Sequence, residues 1–232
     1  MALEPAMTAF TSREALAMRI SALIATELDR GARLNGSAAI AVSGGTTPKP
    51  LYEALAERDL PWGRIAVALI DERWVPPDHP RSNETFVRNA FAAATCARIS
   101  GLYQDGVSAE KAAGRICAAG DRPAFNVVVL GMGEDGHTAS WFPQAQGLAN
   151  ALRSDKPVCA VTARRSEATG DEVERITMSL SAIAKAPLVI LTIAGGEKRA
   201  AFEAAMADGP VEDMPVRAIL RARPDLLVCW AP

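Results

Sequence analysis

Histidine is scarce in this sequence. Two stand among its 232 residues, His79 and His137, and histidine is the side chain that trades protons near neutral pH without help. Cysteine occurs four times, as Cys96, Cys117, Cys159 and Cys229, and never as a CxxC pair. That spacing points away from a zinc site or a disulfide framework and towards reduced, mostly buried thiols. Neither sign of charge prevails, since 25 basic against 27 acidic residues give a net −2. A generic nucleic-acid binder advertises a basic field, so nucleic acid is not an expected partner, although a local cationic pocket remains open. No apolar run reaches the roughly 18 residues that span a bilayer. The N-terminus carries Glu4 and no basic stretch ahead of an apolar one, so it does not read as a signal peptide. These absences lead us to expect a cytoplasmic, monomeric protein without membrane contact.

What is present is an ordinary globular composition, 49% apolar and 22% charged. No repeat, low-complexity tract or linker divides the chain, so residues 1–232 read as one domain. A first helix is expected from Thr11 or Ser12, with Thr11 and Glu14 as a capping box and Leu16, Ile20, Leu23, Ile24 and Leu28 as its buried stripe. Strands are expected at 38–42, 65–70, 127–130, 158–162, 173–177, 188–193 and 226–230. Helices are expected after Thr47, which would cap one with Pro48 in its first position, and after Ser82. Further helices are expected over 108–119, 179–185, 197–206 and 216–220. Near-unbroken apolar strands alternating with helices predict an α/β fold, a Rossmann-like mostly parallel sheet with helices on both faces. Ligands of such sheets sit at the carboxyl ends of the strands.

Four loops lie at those ends. Ser43-Gly44-Gly45-Thr46-Thr47-Pro48 combines two glycines, three hydroxyls and a helix N-terminus, a set that suits a phosphate but lacks the lysine-then-hydroxyl ending of a nucleotide P-loop. A tight turn with a helix cap fits the same residues. Gly195-Gly196-Glu197-Lys198 places a cation in the first turn of a helix, against the dipole, which an anionic ligand would explain and a solvated surface lysine would also satisfy. Asp71-Glu72-Arg73 sets a carboxylate and a guanidinium two residues apart, either an anion clamp or a surface ion pair. Gly131-Met132-Gly133-Glu134-Asp135-Gly136-His137 places a histidine directly after a loop with three glycines, where acid–base catalysis is expected of it. His79, in a proline loop, reads as a surface residue. No GxSxG elbow is present, so a histidine acting on water is simpler than a covalent nucleophile.

Five segments taken together resemble the 6-phosphogluconolactonases of the glucosamine-6-phosphate isomerase/6-phosphogluconolactonase family: 42–55, 71–91, 127–143, 175–183 and 189–205. The resemblance covers nearly the whole chain in family order. It implies hydrolysis of 6-phospho-D-glucono-1,5-lactone to 6-phospho-D-gluconate. The family's catalytic histidine falls on His137, its strand-end triplet on Asp71, Glu72 and Arg73, and its phosphate loop on Gly44, Gly45, Thr46 and Thr47. Its late lysine falls on Lys198 and the arginine before its Thr-Met-Ser segment on Arg175, which the residues alone would make a strand-edge surface charge. Asn83 lies in its serine-asparagine pair. The implied partner is a small sugar-phosphate lactone, with no cofactor and no metal, and Asp71 or Asp135 orienting the imidazole. Deaminases of the same family carry a proton-transferring glutamate where Phe142 stands here, and a tyrosine where Arg73 stands. Both differences favour the lactonase over the deaminase. A non-catalytic sugar-phosphate-binding regulator is a third reading, which the presence of His137 and Asp71 disfavours.

Overall fold

In the computed structural model, residues 5–120, 123–166 and 169–232 are described. Seven parallel strands form the main sheet in the order β1-β10-β9-β6-β2-β3-β5. They are β1 (Met7–Ala9), β2 (Ala38–Val42), β3 (Ile65–Leu69), β5 (Arg98–Ser100), β6 (Val127–Gly131), β9 (Leu188–Ala194) and β10 (Leu227–Ala231). Every residue of β2 is buried, as a strand covered on both faces requires. From β2 the chain steps outward through β3 to β5, then returns to β6 on the other side of β2 and continues through β9 to β10. The reversal leaves a crevice at the carboxyl ends of β2 and β6, where open α/β sheets bind ligands.

The strands expected at 158–162 and 173–177 form as β7 (Val158–Thr162) and β8 (Glu174–Met178), but they do not join that sheet. They build a separate antiparallel sheet with β4 (Asp71–Arg73), a segment that reads as a loop in the sequence. Its register sets Asp71 opposite Thr177 and Arg73 opposite Arg175. The Met178 N–H donates to Ile70 O at 2.7 Å, tying this small sheet to the end of β3.

The first helix, α1 (Arg13–Asn35), is capped by Ser12, whose hydroxyl accepts from Ala15 N, so the Thr11–Glu14 capping box does not form. Leu16, Ile20, Ile24 and Leu28 face the core, whereas Leu23 lies at the margin of the stripe and is exposed. Burying each large aliphatic side chain is worth about 1.5–3 kcal/mol. α2 (Lys49–Ala56) starts one residue later than expected. Pro48 occupies the cap position in right-handed conformation, without a side-chain hydrogen bond, which frees Thr47 from capping. The remaining helices are α3 (Asn83–Ala90), α4 (Ala109–Ala119), α5 (Leu148–Arg153), α6 (Leu180–Ala184), α7 (Gly196–Met206) and α8 (Val216–Ala222). Ser82, Ser108 and Ser179 cap α3, α4 and α6. Among the described residues, no helix is long and apolar enough to cross a membrane. Cys159 and Cys229 are buried, Cys117 is partly buried and Cys96 is exposed, all as free thiols.

Candidate active site

All four loops singled out in the sequence meet in one cleft of about 230 Å³. Ser43 to Pro48 follow β2, Met132 to Phe142 follow β6, and Lys198 enters from the first turn of α7 after β9. Asp71 and Arg73 enter from β4 and Arg175 from β8. The lining thus includes each predicted residue: Gly44, Gly45, Thr46, Thr47, Asp71, Arg73, His137, Arg175 and Lys198.

The glycine loop is shaped by two separate needs. Gly45 has φ +104, a conformation L side chains rarely adopt. A Cβ on Gly44 would run into the Asn83 carboxamide, so the loop and α3 approach backbone to side chain. The Tyr52 hydroxyl donates to Ser43 O at 3.0 Å and fixes the start of the turn. Asn83 is buried, and its Nδ2 donates to Asp71 O at 2.9 Å, which settles the orientation of its amide. Its Oδ1 has no partner, nor has Ser43 Oγ or Arg175 Nε. Buried polar atoms are usually bonded. Three unbonded ones belong to residues that line this one cleft.

Asp135 and His137 form a hydrogen-bonded pair. The Asp135 Oδ1 lies 2.5 Å from His137 Nδ1 and accepts from its backbone N–H at 3.0 Å. Burial pushes the Asp135 carboxyl up, but the bonds and charge of His137 outweigh it and hold it below the usual carboxylate range. Asp71, the other carboxylate considered for the imidazole, instead accepts from Ser140 Oγ at 2.6 Å. Asp135, not Asp71, is therefore the carboxylate that meets the ring, at Nδ1. Gly133 has no room for a side chain, since a Cβ there would overlap the His137 ring and the Asp135 carboxylate. His79 takes a local role, accepting from Arg81 N at 3.2 Å.

The cationic wall is partly buried. Arg175 is 1% exposed, far from the surface charge its sequence context suggests. Its Nη2 donates to Thr169 O at 2.9 Å. Burial, reinforced by Arg73 and Arg81, lowers its pKa to about 10. Arg81 donates to the same carbonyl at 3.0 Å and pairs with Glu172 at 3.0 Å. Arg73 donates to Arg81 O at 2.7 Å. Burial likewise lowers Lys198, with Glu134 acting in the opposite direction, and its Nζ lies 3.5 Å from Thr47 Oγ1. Glu72 faces away from the cleft. It is fully buried and accepts from Asn83 N and Glu84 N at the start of α3. Sequence reasoning gave no place to Ser140 or Thr169, whose parts depend on chain segments about 70 and 88 residues away meeting in space.

The family described as glucosamine-6-phosphate isomerases/6-phosphogluconolactonase matches residues 11–228. This chain belongs to that family. A 6-phosphogluconolactonase of Mesorhizobium japonicum is 42% identical over 97% of this chain and 94% of its own length, and that of Rhizobium meliloti is 39% identical over 97% and 98%. A crystal structure of a 6-phosphogluconolactonase from Shewanella baltica, 34% identical, superposes with a TM-score of 0.91 over 99% of this chain and 98% of that one. The single-domain α/β fold with its mostly parallel sheet is thus the family's own.

Proposed function

We propose that this protein hydrolyses 6-phospho-D-glucono-1,5-lactone to 6-phospho-D-gluconate, a step of the pentose phosphate pathway, with His137 as its general base and acid. One observation carries the reading. An Asp135-oriented imidazole shares a cleft with buried, unpaired donors on Arg175 and Ser43. The Gly44–Thr47 loop, Lys198, Arg73 and Arg175 hold the phosphate and position the ring. Water attacks C1 as Nε2 of His137 takes its proton, and the tetrahedral oxyanion is met by donors of the cleft. The C1–O5 bond then breaks, and the same nitrogen returns the proton to O5, leaving an open-chain acid. One group serves both steps because they occur in sequence.

The test supplies freshly made lactone and, separately, glucosamine 6-phosphate to the purified protein. Turnover of the first above its spontaneous hydrolysis, without ammonia from the second, is the expected result. Ammonia release would replace this reading with the deaminase. His137→Ala lowers kcat about 10²–10⁴-fold, the usual worth of acid–base help, while product affinity is kept. A near-wild-type kcat would remove His137 from the chemistry. Lys198→Ala mainly raises KM, and an unchanged KM and kcat would take Lys198 out of the site.

A further inference from the structure

The ring of Phe142 lies with its centroid 4.4 Å from that of His137, tilted by 33°, and the Arg175 guanidinium carbon stands 5.5 Å from the same ring. One apolar side chain therefore touches both the acid–base group and the most buried cation of the cleft. The segment that delivers it is held at every step. Thr138 Oγ1 donates to Gly131 O at 2.7 Å, Ser140 Oγ to Asp71 at 2.6 Å, and Trp141 Nε1 to Met178 O at 2.9 Å. Trp141 is wholly buried. Ala139, inside this segment, sits at φ +52, the left-handed region that a residue with a Cβ avoids. Strain of this kind persists where the surroundings over-determine it, and it concentrates at functional sites.

We infer that Phe142 is a positioning residue. Its ring is the platform that fixes the plane of the His137 imidazole, while Asp135 fixes its tautomer, and it sets the distance from that imidazole to Arg175. A hydrogen bond at Nδ1 alone leaves the ring free to pivot about it, and the aromatic face removes that freedom. Aromatic pairs prefer offset or edge arrangements, so a planar partner confers an orientation that an aliphatic one does not. The assignment rests on His137 being the acid–base group.

The experiment compares Phe142→Leu, which removes the plane, with Phe142→Tyr, which keeps it. Melting temperatures and histidine NMR spectra are recorded beside the kinetics. Misplacing a reacting group by about 1 Å costs on the order of 10²-fold. Phe142→Leu is expected to lose about 10- to 100-fold in kcat at an unchanged melting temperature, and Phe142→Tyr to recover most of it. With two histidines in the chain, the His137 ring protons are readily assigned. In the wild type they lie upfield from the Phe142 ring current, and the shift disappears in Phe142→Leu. Unshifted wild-type His137 protons would overturn the inference without any variant. So would equal losses in both variants, a loss that follows a fallen melting temperature, or wild-type kcat in Phe142→Leu. If His137→Ala also retains kcat, the mechanism itself fails. If only Phe142→Leu is active, the platform alone fails.

Discussion

His137 meets a single oxygen of Asp135 twice, through its ring Nδ1 at 2.5 Å and its own backbone N–H at 3.0 Å. The carboxylate thus grips both the imidazole and the turn that carries it. Asp135→Asn keeps the shape and removes the charge. A hydrogen bond to a charged group is worth about 1.5–3 kcal/mol, so kcat should fall roughly 10- to 100-fold with little change in melting temperature. Steady-state assays on fresh lactone, corrected for spontaneous opening, measure this. A kcat within about twofold of wild type would leave Asp135 as a turn former only.

The two glycines flanking Met132 should behave differently. A methyl group at Gly133 would overlap His137 and Asp135, while one at Gly131 meets nothing within 4 Å. Gly133→Ala is expected to lower kcat about as far as Asp135→Asn does, because it separates the same pair. Gly131→Ala should cost much less. Equal activity of the two variants in the lactone assay would contradict the crowding seen around the imidazole.

Much of this site is legible in the amino-acid sequence. Glycine-rich loops after apolar strands, with a histidine or lysine at their ends, lie in one cleft because a parallel sheet gathers its carboxyl ends. β2 and β7 have the bounds their apolar runs suggest. The three-residue edge strands β1 and β5 carry too little apolar pattern to show. The small antiparallel sheet is hidden for another reason. β4 is three polar residues whose partner strand lies about 100 positions away, and that pairing sets Arg73 beside Arg175 and buries the latter. Asp71 and Asp135 are equal candidates for the partner of His137 in the sequence, because only the folded backbone decides which carboxylate the ring reaches.

Arg175 should trade stability for function. It is buried beside two other arginines, with burial and their charge both opposing its own, and its Nε lacks a partner. A buried charge of this kind weakens the unliganded protein. Arg175→Met is therefore expected to melt at or above the wild-type temperature. It should also lose about 30-fold or more in kcat/KM, the lower end of what removing one member of a buried charge pair costs. Calorimetry and kinetics on one preparation test both halves. A lower melting temperature with unchanged kcat/KM would make Arg175 a structural residue.

Glu72 gives a pH signature. Its carboxylate accepts from Arg73 N at 2.8 Å and Asn83 N at 2.7 Å on one oxygen, and from Glu84 N at 2.8 Å and Ser82 Oγ at 3.1 Å on the other. Burial raises its pKa more than the backbone donors lower it. A carboxyl whose native pKa exceeds its unfolded value favours folding while protonated. That contribution is complete below the unfolded pKa and is lost as pH rises through the raised native one. Glu72→Gln cannot ionise, so it lacks this loss. It also offers one acceptor oxygen where the site presents donors to two, an offset of about 1–3 kcal/mol present at every pH. The variant should thus melt below wild type at pH 4, with the gap narrowing towards pH 7. A gap that widens towards pH 7 would mean that Glu72 stays ionised throughout, its four donors outweighing burial, and a constant gap that its pKa is the same folded and unfolded.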